Sequence, residues 1–497
     1  MLNLLDIGSS VMARINHILA SGAKTKMTDK QFLEREIVKF KCSPRRKEML
    51  TGEEYYEGNH DILKRKRTII GQDGKLQEVE NLPNNKDIDN QYAKLVDQKV
   101  NYLLSKQPTF ETENDDYGEM LKEIFNNRFL RTLKNLGEDS LNEGIAWLHP
   151  YYNERGDFCF KKYPAYEILP FWGDAEHTLL EFAVRIYVVE AYEGQRNIPI
   201  EKVEVYSTKG IERFVLQNNS LIPDVERPST PYLIAVDADG NEGSWNWSKV
   251  PLIPFKYNNK EIPLIRRVKS LQDGVNTILS DFQNNMQEDA RNTILVLQNY
   301  DGTNLGEFRK NLAQYGAVKV KTVDGAAGDI KTLTIEVNAE NYKVILELFK
   351  KALIENGRGF DAKDDRMSGS PNQMNIQSMY SDIDLDANGM ETEFQASFEE
   401  LLWFVNMHFA NTSQGDFEKE KVKVIFNRDI LINESESIDN CAKSVGILSN
   451  ETIVSQHPWT ADVKVELQRI EAEKAQQQSE MDEYKAAFEK PGDLNET

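Results

Sequence analysis

Residues 264–290 read LIRRVKSLQDGVNTILSDFQNNMQEDA, and their spacing organises everything around them. Leu264, Val268, Leu271, Val275, Ile278, Phe282 and Met286 recur by four and three, the period of one face of an α-helix. The spacing predicts a one-sided helix of about seven turns, roughly 40 Å long. Residues 292–338 then change character: TILVLQNY, GAVKVKTV and IKTLTIEV read as strands, with a short helix, LGEFRKNLAQY, among them. Helix resumes after Asn338, a candidate cap, with Val344, Ile345, Leu348, Phe349 and Ala352 on one face. A compact α/β insert thus stands between two helices that can run back to back, a stalk with a small domain at its tip.

Downstream, the second helix fades at Asn356-Gly357-Arg358-Gly359, and FDAKDDRMSGSPNQ has the glycine, proline and serine of a mobile connector. Then Ile376, Met379, Ile383, Ala387, Met390, Phe394, Phe398, Leu401, Val405 and His408 keep helical spacing over about 34 residues, roughly 50 Å. A strand, VKVIFN, follows. Short helices end the chain, with an acidic, glutamine-rich tail expected to fray.

Upstream, residues 145–258 are an antiparallel meander, with IAWLHPYY, DFCFKKY, FAVRIYVV, KVEVYS and ERFVLQ separated by turn residues. Trp245 and Trp247 read as core. In LPNNKDIDNQYAKLVDQKVNYLLSKQP, Ile88, Tyr92, Leu95, Val96, Val100 and Leu103 make a helical stripe that Pro108 ends. A second helix is expected over Tyr117–Glu143, stopped by Gly144. Residues 1–45 read as a poorly packed helical arm. The opening MLNLLDIGSSVMARINHILA lacks a leading basic segment and is not expected to be a signal peptide. Two basic stretches, Lys41 with Arg45, Arg46 and Lys47, and Lys64 to Arg67, are either solvated faces or phosphate contacts.

The chain has 497 residues, enough for about three domains. Cys42, Cys159 and Cys441 lie too far apart for a disulfide framework and suit a reducing cytosol. No run of 18 apolar residues suggests a membrane span. The net charge of −21 argues against broad nucleic-acid gripping, which needs Lys and Arg. Residues 374–411 carry seven carboxylates (Asp382, Asp384, Asp386, Glu391, Glu393, Glu399, Glu400) and no Lys or Arg. From Asp429 onward there are 15 acidic and 6 basic residues, net −9. This acidity lies on outer solvated faces, or on a surface that discourages nucleic acid from sticking.

Catalytic signals are thin. There is no G-x-x-x-x-G-K-[ST], and Gly71 to Lys75 reads as a turn. His17, His60, His149, His177, His408 and His457 are scattered, with no ligand spacing. Asp384 to Gly389 matches the first six positions of an EF-hand loop, but the twelfth, Gln395, is not the bidentate glutamate. No metal and no cofactor are expected.

Long composite stretches resemble the portal, or head-to-tail connector, proteins of tailed phages of Gram-positive hosts. They are YYEGNHDILKRKR, the 82–108 and 264–290 segments, and MYSDIDLDANGMETEFQASFEELLWF. The resemblance implies an α+β portal fold with long stem and wing helices, an antiparallel β wing, a small α/β clip and a helical crown. By it, 1–45 is an N-terminal arm and 46–258 and 374–427 are the wing. Residues 259–291 and 339–360 are stem helices, 292–338 the clip, 361–373 the tunnel loop, and 428–497 the crown and acidic tail.

The resemblance further implies a non-enzymatic ring, usually of twelve copies, at one capsid vertex, assembled in the host cytoplasm. Its partners would be double-stranded DNA in the channel, the large terminase, a head-completion adaptor, and major capsid and scaffolding proteins, with no membrane. Tunnel-loop candidates for touching DNA are Asp361, Lys363, Asp364, Asp365, Arg366, Ser368, Gly369 and Ser370. In the clip, Arg309, Lys310, Lys319 and Lys321 are candidate partner contacts, with Lys331 adding to a near-neutral tip. The alternative is a phage DNA-processing enzyme, such as a metal-dependent nuclease, whose carboxylates meet only in the fold.

Overall fold

The computed structural model describes residues 28–70, 74–80, 82–236, 242–289, 294–299, 301, 304, 306–308, 310, 314, 319–323, 328–333, 339–361, 373–428, 434–460 and 463–488. The chain forms two compact units. The first is Met1–Gly359 with Leu385–Arg428; the second is Phe360–Asp384 with Asp429–Thr497. Helices and small antiparallel sheets are segregated along the chain, which makes the fold α+β.

The first unit opens on α1 (Asp29–Lys41) and α2 (Pro44–Tyr56), then a hairpin of β1 (Thr68–Ile70) and β2 (Leu76–Glu78). Next come α3 (Gln91–Leu104), β3 (Thr109–Glu111), α4 (Asp115–Ile124) and α5 (Asn127–Glu143). Thr28 begins α1 with a reciprocal capping box, and Ser43 caps α2 with Pro44 in its first turn. The single helix expected over Tyr117–Glu143 is two, because the Asn126 side chain accepts from the amides of Arg128 and Phe129 and starts a new helix. Gly144 does end α5, at φ 85, and a Cβ there would run into the Glu261 carbonyl.

The strands follow: β4 (Ile145–Tyr152), β5 (Phe158–Tyr163), β6 (Ile168–Trp172), β7 (Leu180–Glu193), β8 (Arg196–Ser207), β9 (Gly210–Gln217), β10 (Ser220–Pro223), β11 (Leu233–Val236), β12 (Glu242–Trp245) and β13 (Ile253–Lys256). Five make a meander in the order β10-β9-β8-β7-β6, three form a separate sheet β13-β4-β5, and β11 pairs with β12. The expected arm is not poorly packed at its C-terminal half. Phe32, Leu33, Ile37 and Phe40 of α1 fill the meander's core with Phe171, Phe182, Val184 and Val203. Trp147, Tyr163, Trp172 and Tyr206 build a second core with Met49 of α2. Trp247 is buried as expected, whereas Trp245 is 56% exposed.

α6 (Ile265–Asp289) and α7 (Ala339–Asn356) are the paired helices foreseen from the 264–290 spacing. They run antiparallel: Phe282 meets Tyr342 at 5.2 Å between rings, and a Cβ on Gly274 would run into the Phe349 ring. Between them β14 (Ile294–Gln298) pairs with β15 (Asp329–Leu333). The middle stretch of the insert forms no strand among the described residues, but its backbone bonds alongside β14's end: the Lys321 amide donates to Asn299 and the Asp301 amide to Lys319. Asn338 lies outside the described residues.

α8 (Gln373–Asn411) is 39 residues long, about 58 Å at 1.5 Å per residue. Its foreseen stripe from Ile376 to Val405 is buried. Phe394 and Phe398 enter an aromatic cluster with Phe110, Phe125, Phe129 and Phe255. β16 (Lys423–Ile425) pairs with β3. In the second unit, α9 (Glu434–Ser444) and α10 (Asn450–Gln456) precede α11 (Val463–Phe488). The tail expected to fray is thus a 26-residue helix as far as Phe488. Among the described residues no helix is long and apolar enough to cross a membrane.

Candidate functional site

The chain leaves the first unit after Gly359 and re-enters it at Leu385. Both points are tied to one buried carboxylate. Asp386 is 7% exposed; Lys99 Nζ lies 2.7 Å from its Oδ2 and the Tyr257 hydroxyl donates to the same oxygen at 2.5 Å. Arg267 reaches its Oδ1 at 3.1 Å and Arg358 at 3.7 Å. Lys99 also donates to the carbonyl of Arg358 at 3.0 Å, a residue held at φ 51. Burial works against a charged Asp386, but the Lys99 ammonium and its hydrogen bonds hold the carboxyl below the usual range. Burial likewise pulls Lys99 down, against Asp386. With three cations and a hydroxyl converging on it, the carboxylate is ionised and Lys99 keeps its proton. The excursion 360–384 therefore starts and ends on a fixed post.

A second device lies along α6. Gln272, Asn276, Ser280 and Asn284 are fully buried although polar. Each accepts from a backbone amide of the extended segment before and into α3: Tyr92 at 3.0 Å, Asp89 at 3.1 Å, Asp87 at 2.9 Å and Asn85 at 2.8 Å. The repeats match. Four helical residues rise about 6.0 Å, and two extended residues about 6.6 Å. His60 completes the ladder, its ring 2.7 Å from Asn276 Nδ2 and 3.0 Å from the Tyr55 carbonyl, and burial lowers its pKa.

Of the tunnel-loop candidates, Asp361 is described; Lys363, Asp364, Asp365, Arg366, Ser368, Gly369 and Ser370 lie outside the described residues. In the insert, Arg309 lies outside them too. Lys310, Lys319 and Lys321 are exposed, and Lys321 pairs with Asp301 at 3.7 Å. The basic stretches are largely engaged within the chain: Lys41 with Glu201 at 2.5 Å, Arg45 with Glu261, Arg65 with Asp281 at 2.5 Å and Lys66 with Glu78 at 2.8 Å. The acidic set of α8 divides. Asp386 is the post, Glu391 pairs with Arg428 at 2.5 Å, and burial raises the pKa of Glu400. Asp382 and Glu399 are exposed. The EF-hand-like residues are continuous helix, with Asp386 already bound by Lys99. His408 is half-buried, 2.9 Å from the Tyr152 hydroxyl and stacked on Phe158. Among the described residues no three His, Cys, Asp or Glu side chains are grouped to hold a metal.

Paired helices around an insert, and a long helix packed against β13, frame this α+β fold. The family model for phage portal proteins, SPP1 Gp6-like, matches residues 40–480, and the chain belongs to that family. It is 28% identical to the portal protein of Bacillus phage SPP1 over 480 residues, 95% of this chain and 92% of that protein. It is also 28% identical to the portal protein of Clostridium phage phiCD119, over 88% of this chain and 96% of that protein. A solved structure described as the neck of a native GTA particle computed with C12 symmetry aligns at TM-score 0.37 and 12% identity. That alignment covers 73% of this chain and 88% of the other. The relatives lend the nuclease alternative no support.

Proposed function

We propose that this chain is a portal subunit: a ring of copies, twelve by the family's habit, sits at one capsid vertex and forms the passage for double-stranded DNA. The observation that carries the reading is the family match across residues 40–480. The ring acts without catalysis. It docks the large terminase during packaging and a head-completion adaptor afterwards, and it meets major capsid and scaffolding proteins as the shell forms in the host cytoplasm. Residues 361–373 narrow the channel, and the Asp386 post supports this role by holding the chain at Arg358, before them, and at Asp386, after them. Lys363 and Arg366 touch phosphates transiently; two cations per copy give weak contacts that do not brake the duplex. The clip lysines Lys310, Lys319 and Lys321, with Arg309, face protein partners.

Electron microscopy of the purified full-length chain tests the reading. Rings with an axial hole wide enough for a duplex are expected. Material that never assembles with such an opening would overturn it.

A further inference from the structure

The apolar residues of α7 are divided between two directions, and only one of them is covered. Tyr342 and Phe349 turn onto α6, at Phe282 and Gly274. Of the helix's 18 residues only Leu353 is buried. Val344 is 46%, Ile345 44% and Leu348 60% exposed, and Ala352 is half-buried. At 3.6 residues per turn, Ile345, Leu348 and Ala352 share one flank beside the Tyr342–Phe349 seam, with Val344 at its border. Lys343 and Glu347, both exposed, lie on the other flank. An exposed apolar stripe on a helix marks a contact surface. Its steps of three and four are the period of helix-on-helix packing, so the missing cover is itself a helix.

The outer flank of α6 suits that role. It carries Ser270 and Thr277, exposed and small enough to let a second helix come close. The charged groups around them are already engaged within the chain: Asp273 with Lys269 at 2.8 Å, Asp281 with Arg65 at 2.5 Å and Arg266 with Glu48 at 3.6 Å. Apolar side chains laid there would strip water from no free charge. Laid against Lys343 and Glu347, they would strip two.

We infer that the Ile345–Leu348–Ala352 flank of α7 in one copy packs on the Ser270–Thr277 flank of α6 in the next copy. The inference rests on the ring reading, because a closed ring joins unlike faces of successive copies. Phe349 lies level with Gly274 within one copy. Helix pairs standing side by side therefore bring Leu348 within about one turn of Thr277. The contact is apolar, so it survives added salt, which screens charges alone.

The full chain provides the test. Ile345→Lys with Leu348→Lys is expected to abolish rings in electron microscopy while circular dichroism stays that of the unaltered chain, because both side chains are exposed in a single copy. Lys343→Ala with Glu347→Ala, on the other flank, is expected to keep the rings. A paired-cysteine variant reads the contact without relying on lost assembly. Leu348→Cys with Thr277→Cys, in a chain whose exposed native thiol is removed by Cys42→Ser, is oxidised after assembly. A ladder of covalent multimers is expected on a denaturing gel, with none from either single substitution. Rings that persist with both lysines, or assembled cysteine variants that give no ladder, overturn this contact and leave the portal reading intact. No rings from the unaltered chain overturn both.

Discussion

Asp386 illustrates how one buried charge can fix two distant points of the chain. Removing it strands Lys99, which is 4% exposed, among two arginines. Asp386→Ala is expected to cost about 3–5 kcal/mol in chemical denaturation, the usual penalty for an unpaired buried ion. Lys99→Met combined with Asp386→Leu should recover part of it; a double variant as weak as the single one would show that the pair does more than neutralise itself. Glu53 gives a second test. It sits on α2 facing Glu138, Asp139 and Glu143 of α5 and Lys162 of β5. Burial first, then the charge of Asp139, push its carboxyl up to about 7 from 4.5. The folded chain therefore keeps a proton that the unfolded chain releases, and stability from this group falls as pH rises from about 4.5 to about 7. Glu53→Gln should flatten that fall, raising the urea midpoint at pH 8 and changing little at pH 4. Equal shifts at both pH values would assign the effect to packing instead.

The α6 ladder belongs to the element rather than to any one side chain. Asn276→Ala or Ser280→Ala leaves a buried amide of the extended segment unsatisfied, at about 1–3 kcal/mol each. Hydrogen exchange should locate the damage, with the amides of Asp89 and Asp87 respectively losing protection first. Uniform loss along α6 would mean the helix itself had failed. This ladder was not legible in the sequence. A polar stripe at Gln272, Asn276, Ser280 and Asn284 reads as a solvated face, because its partner is backbone, which leaves no mark in residue identity. The apolar stripes of α6 and α8 were legible, since burial needs one residue class at one period. The break between α4 and α5 was missed although Asn126 signalled it, because the apolar pattern continues across the gap. α11 was missed for the opposite reason: few of its residues are buried, so no face announces the helix.

For the whole molecule, the candidate site was legible in outline and blank in detail. Glycine, serine and proline at 368–371 marked a connector, and the resemblance gave it a task; the post beside its ends was hidden, because Lys99, the Tyr257–Arg267 stretch, Arg358 and Asp386 come from four separate places in the chain. That separation makes the decisive experiment clean. Deleting 364–370 touches none of the five groups, so the first unit should fold with the unfolding midpoint of the full chain and assemble into rings of the same diameter. What should change is transport. If residues 361–373 narrow the channel as proposed, packaged DNA measured by nuclease protection should fall sharply while the initial docking of the terminase is unchanged. Packaging at the full rate with intact rings would mean that the excursion is an ordinary connector. The post at Asp386 would then be a device of stability alone.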